Sequence, residues 1–162
     1  MRKILLGALL SVVLSACTIP SDYCDKVTGE VSAIDEAMNE MTAAIKLHTS
    51  GSENSNLKKT YDEGDATIQE SLKTLYGMSD FRGDDDLRKS AAEYAAFHAS
   101  YFENELKFIV DILEKDSVTT EDVAVLKNYS SHLGQRRNNC EKKYKESLIK
   151  FMNEYDLLKA DY

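Results

Sequence analysis

The chain has 162 residues, of which 43% are hydrophobic and 30% charged, with one proline, seven glycines and no tryptophan. That length supports one domain around a single core, and so little proline excludes a turn-rich β-sandwich, a collagen-like repeat or Pro-rich disorder in favour of an all-α fold. The 20 Lys and Arg residues are outnumbered by 28 Asp and Glu, a net charge of −8 whose field as a whole repels nucleic acid and anionic bilayers and argues against nucleic acid as a partner.

In chain order, the first element is a leader. Arg2 and Lys3 precede an apolar run from Ile4 to Leu14, interrupted only by Gly7, Ala8 and Ser11. The run is too short to span a bilayer comfortably, and a positive start, a short apolar stretch and small residues at its end form the pattern of a secretory signal. Leu14-Ser15-Ala16-Cys17 then resembles the lipobox of bacterial lipoproteins. The resemblance covers only the start of the chain. It implies cleavage before Cys17, residues 1–16 as signal peptide, 17–162 as the mature domain, and acyl chains on Cys17. At ~0.8 kcal/mol per buried methylene, several chains on one residue make a firm membrane anchor. Cleavage removes Arg2 and Lys3 and leaves a more acidic domain. Thr18 and Ile19 stand where enteric lipoproteins retained in the inner membrane carry Asp, so the resemblance implies the outer membrane.

With Cys17 spent on lipid, two cysteines remain in an oxidising compartment, Cys24 and Cys140. An intramolecular disulfide is the leading expectation. It would close most of the chain into a loop, for which the chain-entropy model allows up to ~4.7 kcal/mol. Two unpaired structural thiols are the alternative, and neither cysteine has a neighbouring Cys or His at metal-ligand spacing.

Four helices follow. Val27, Val31, Ile34, Met38, Met41 and Ile45 alternate by threes and fours, with Ser21 or Asp22 as N-cap and a polar loop after His48. A second helix spans about Leu57 to Tyr76; Leu57, Tyr61, Ile68, Leu72 and Leu75 face inward, Gly64 interrupts the stripe, and Gly77 is the expected left-handed cap. Asp84, Asp85 and Asp86 open a third helix, where carboxylates suit the unpaired N–H groups and the dipole; a calcium loop is the weaker alternative. This helix runs to Leu113 with an apolar face wide enough for two neighbours, which makes it central. Thr119 and Asp122 have capping-box spacing and open the last helix, whose seam includes Leu126, Leu133, Cys140, Tyr144, Leu148, Phe151, Tyr155 and Leu158. About forty residues would make it about 60 Å long, unless it breaks near Gly134 or Asn138-Asn139.

These elements predict an up-down bundle of about four helices with a long C-terminal helix. A Cys24–Cys140 bridge would set Ile34 near Ser130 and Met38 near Leu126, leaving the tail after Cys140 without a partner in the first helix. Tyr144, Leu148, Phe151, Tyr155 and Leu158 would then be available for self-association.

Motifs for chemistry are sparse. No Glu precedes any of His48, His98 or His132 at the spacing of bundle di-metal sites, and there is no Gly-x-Ser-x-Gly elbow or phosphate-binding glycine loop. No metal site, catalytic residue or cofactor is expected. A haem held by Met38 or Met41 with His98 or His132 is a remote alternative, since Met at helical spacing usually fills core. His98 and Glu105 share one side of the third helix and can meet Arg137 on the last, a possible buried polar network that would set helix register, or less often move a proton. Arg136, Arg137, Lys142, Lys143, Lys145 and Lys150 make a local basic excess, and Arg82-Gly83-Asp84 spells the integrin tripeptide. The expectation is a lipid-anchored, non-enzymatic binding module of the cell envelope with an envelope protein as partner. An exclusion or immunity lipoprotein of plasmid or phage type is the alternative, and a cofactor-binding bundle a more distant one.

Overall fold

A computed structural model describes residues 19–51, 56–115 and 117–159, with side chains described outside 125–135 and 159. The expected signal peptide, Cys17 and the His132 side chain lie outside these. Among the described residues the fold is helical throughout, apart from one isolated β-bridge between Phe81 and Asp84. The helices are α1 (Pro20–Thr49), α2 (Leu57–Gly77), α3 (Asp86–Tyr101), α4 (Lys107–Leu113) and α5 (Thr120–Glu154). A π-helical turn, Phe102–Leu106, makes α3 and α4 one continuous rod.

α1 starts earlier than its capping residues foretold. Pro20 occupies the first helical position, where its missing N–H removes no bond, and Ile19 rather than Ser21 or Asp22 is the N-cap. Its buried seam is Val27, Val31, Ile34, Ala37, Met41 and Ala44, while Met38 and Ile45 are only partly buried. The small residues let α2 approach: a Cβ built on buried Gly64 would lie 3.8 Å from that of Ala37 and 2.9 Å from the Phe102 ring. Leu57, Tyr61, Ile68 and Leu75 of α2 are buried as expected, Leu72 partly. Gly77 is the last helical residue, not a left-handed cap; Met78 caps with extended backbone, and Gly51 after α1 has the positive φ, +76°.

α3 packs against α1, α2 and α5 and is the central helix. The π turn shifts its phase. After Phe102 the buried positions are Leu106, Val110 and Ile112, Ile109 is only partly buried, and Phe108 is 39% exposed. The Phe102 carbonyl accepts the Lys107 N–H across five residues, the signature of a π turn, and also the Tyr61 hydroxyl at 3.0 Å.

The capping box forms. The Asp122 N–H donates to Thr119 Oγ1 at 3.2 Å and the Thr119 N–H to Asp122 Oδ2 at 3.0 Å. Lys115, then the Thr119 donors, pull the Asp122 carboxyl down to about 2. Thr119→Ala is expected to cost about 1 kcal/mol, seen as a fall of about 2–4 °C in Tm by calorimetry. α5 then continues through Gly134, Asn138 and Asn139 without a break, 35 residues or about 52 Å.

The register of α5 differs from the expected one. Asp86 pairs with Lys150 and Glu93 with Lys143, so α5 runs antiparallel to α3. Tyr23 of α1 meets Phe151, with ring centroids 5.6 Å apart. The tail after Cys140 therefore packs on the start of α1, and Tyr144 and Phe151 are buried within the chain rather than presented for self-association. Cys24 acts electrostatically on Tyr144, one helical turn beyond Cys140, and both thiols are free: the expected disulfide is not formed.

Candidate functional site

A buried polar seam lies where α1, α3 and α5 meet, and it is built around aromatic residues. The Tyr94 hydroxyl of α3 donates to Asp35 Oδ1 of α1. One turn on, the His98 ring packs on Tyr94 at 4.5 Å between centroids and on Phe97 at 5.1 Å. Tyr144 closes the seam from α5, 6.1 Å from Tyr94. Helical spacing aligns Tyr94 and His98, four residues apart, on one face of α3.

His98 is fully buried, and neither ring nitrogen has a hydrogen-bond partner. Burial, then the nearby Arg137 charge, push its pKa down to about 4, against a weaker pull upward from Asp35 and Glu141. The imidazole is neutral at physiological pH. Burial also raises the tyrosines: Tyr144 to about 12, and Tyr94 well above its ordinary value, with the Asp35 hydrogen bond as second cause. The Cys24 thiol is raised by burial, which makes it a poor nucleophile.

The expected trio of His98, Glu105 and Arg137 is placed nearby but not joined. Among the described residues no hydrogen bond or ion pair links any two of them, and the buried Glu105 Oε2 has no hydrogen-bond partner. Glu105 sits in the π turn, which takes up extra rotation, so seven residues no longer bring it back under His98. Its charge bears on Tyr101, whose pKa burial raises first and Glu105 second. Arg137 is exposed and acts on His98 through its charge alone. No protein-family model, curated protein or solved structure matches the chain.

Asp35 is the member of the seam that the sequence reading missed; Tyr94 and Tyr144 lie on the inward faces it expected, with no polar role assigned to them. Asp35 reads as an ordinary solvent residue beside Ile34, and only the meeting of α1 with α3 makes it an acceptor. Among the described residues no group of three His, Cys, Asp or Glu side chains has the arrangement of a metal site. Met41 is buried in the core, while Met38 is partly buried against it.

The surface features resolve differently. The basic excess of α5 is largely paired: Lys142 with Glu146, Lys143 with Glu93, Lys145 with Glu141 and Lys150 with Asp86, while Arg136 lies over the Phe97 ring. Arg82 and Gly83 form a two-residue turn between Phe81 and Asp84, whose backbones exchange two hydrogen bonds of 2.9 Å. Both central residues have positive φ, +53° and +87°, as a type I′ turn requires. The Arg82 guanidinium lies over Phe81 and Tyr155, and Asp84 accepts the Asp86 N–H. Shallow clefts open on the surface of the described residues. One, of about 250 Å³, lies between α1 and α2 with Glu36, Glu40 and Glu63 at its rim. Another, of about 360 Å³, runs along α5 over Lys142, Lys145 and Ile149. Neither is lined by His98.

Proposed function

We propose that this chain is a lipid-anchored protein of the bacterial cell envelope, held on the outer membrane through Cys17, whose up-down helical bundle serves as a non-enzymatic binding module for another envelope protein. The observation that carries this reading is Leu14-Ser15-Ala16-Cys17 directly after a short positive and apolar leader. Among the described residues no helix is long and apolar enough to cross a membrane, so attachment through acyl chains is consistent with the helical part. The polar seam supports a structural rather than a chemical role. Its imidazole is neutral and sealed from solvent, its phenols are held protonated, and the Cys24 thiol is buried.

Radiolabelled palmitate fed to a bacterial host expressing the full chain is expected to label the wild type and not Cys17→Ala, with the wild type recovered in the outer-membrane fraction. Equal labelling of both forms overturns the anchor. Crosslinking from the exposed α1–α2 face, read by mass spectrometry, is expected to trap an envelope protein.

A further inference from the structure

We infer that the pole of the bundle formed by the Arg82-Gly83 turn, Tyr155 and Leu158 rests on the phospholipid headgroup layer, with α1 rising away from the membrane. The inference depends on the lipid-anchor reading and adds an orientation and a contact surface to it.

The tether is short. Only Thr18 and Ile19 separate Cys17 from Pro20, where α1 begins, and at no more than about 3.6 Å per residue Pro20 stays within about 11 Å of the acylated residue, with the rest of the first turn about 5 Å further along the helix. Whatever surrounds that turn is held against the bilayer. It is surrounded by the far end of α5 and the loop before α3. Tyr23 packs on Phe81 and Phe151, Phe81 on Tyr155, and the Arg82 guanidinium covers both Phe81 and Tyr155.

The chemistry of this pole suits the boundary between headgroups and acyl chains. Ile19 and Leu158 are apolar side chains that each remain 52% exposed. Tyr155 adds an aromatic ring with a polar tip, and Arg82 a cation for lipid phosphate; side chains of this kind gather at membrane interfaces. Arg82 holds a left-handed conformation that Asn or Gly adopts with less strain, so the turn carries its guanidinium at a conformational cost. Three nearby carboxylates are held in surface ion pairs: Asp80 and Asp85 with Arg88, Asp86 with Lys150. The opposite pole, where His48 Nε2–H donates to the Leu113 carbonyl at 2.8 Å, lies about 40 Å away along α1.

The absence of tryptophan makes the test direct. Leu158→Trp and Leu47→Trp each place one indole at an exposed position, at the near and far poles respectively. The full chain is expressed in a bacterial host, and its acylated form is purified and returned to vesicles of phosphatidylethanolamine and phosphatidylglycerol with brominated acyl chains. Bromine quenches only at close range, so indole emission from Leu158→Trp is expected to fall at least about twofold and shift to the blue, while that from Leu47→Trp stays unchanged. Arg82→Asn, which relaxes the turn but removes the cation, is expected to reduce the quenching of Leu158→Trp. Acylated, vesicle-bound protein in which Leu158→Trp is not quenched, or in which both indoles are quenched alike, overturns the orientation and leaves the anchor standing. Protein whose Cys17 carries no acyl group by mass spectrometry overturns both.

Discussion

Between pH 6.5 and pH 4 the folded chain is expected to lose about 3 kcal/mol of stability through His98 alone. The unfolded chain protonates this histidine near its ordinary value of 6.5, whereas the folded chain resists until about 4, so over that interval the unfolded state binds more protons and acid favours it. The stability is fully present above about 6.5 and is gone below about 4. The cause is burial first and the Arg137 charge second, in a site where neither ring nitrogen has a hydrogen-bond acceptor for an imidazolium proton. The nearest carboxylates are already engaged, Asp35 by the Tyr94 hydroxyl and Glu141 by Lys145. Urea denaturation of wild type and His98→Leu at a series of pH values checks this. The variant is expected to match or exceed wild type at pH 7, because it removes two unpaired buried nitrogens, and to lack this part of the acid loss. Parallel pH profiles for the two proteins would refute the assignment. Asp86, Asp122 and Glu141 also have lowered pKa values, so the acid loss common to both proteins at still lower pH belongs to them.

Phe102→Ala is expected to cost about 3–5 kcal/mol, the largest effect of any single substitution considered for this fold. The ring is fully buried in the π turn, stacks on Tyr61 at 5.7 Å and fills the space above Gly64. The same contact sets the sign of a second substitution. Gly64→Ala gains about 1 kcal/mol of helix propensity but brings a Cβ to 2.9 Å from a ring atom that close packing holds in place, an overlap worth about 1–3 kcal/mol. The net result is a loss in the wild type. In a Phe102→Leu background the overlap disappears and Gly64→Ala becomes stabilising. Gly29→Ala, which meets nothing within 4 Å in the middle of α1, is the control and is expected to gain about 0.5–1 kcal/mol. A double-mutant cycle by chemical denaturation measures the coupling. Additivity of Gly64→Ala and Phe102→Leu would show that the ring does not constrain this crossing.

If the membrane orientation holds, the α1–α2 cleft stands on the flank of the bundle, clear of the bilayer. A partner in the same envelope would then meet the bundle from the side. The Arg82-Gly83-Asp84 turn would face lipid, with its aspartate committed to the start of α3.

The sequence by itself determined the helices and most of their ends. The three-and-four spacing of Val27, Val31 and Ile34, the polar loop after His48 and the Thr119–Asp122 box are local signals, legible because helix formation and capping depend on residues within a turn or two of one another. It also named His98 as unusual, since a histidine on an apolar face has no solvent to turn to. What only the tertiary structure decided is how those helices stand relative to one another. The register that puts Phe151 on Tyr23 depends on which side chains fill the gaps between helices. So does the π turn, which moves Glu105 off the His98 line. It is tied to a carbonyl that takes a hydrogen bond from Tyr61, on another helix 41 positions away in the chain. Periodicity fixes the face of each helix but not its height against its neighbours, because sliding by one turn preserves the same stripe while exchanging every partner.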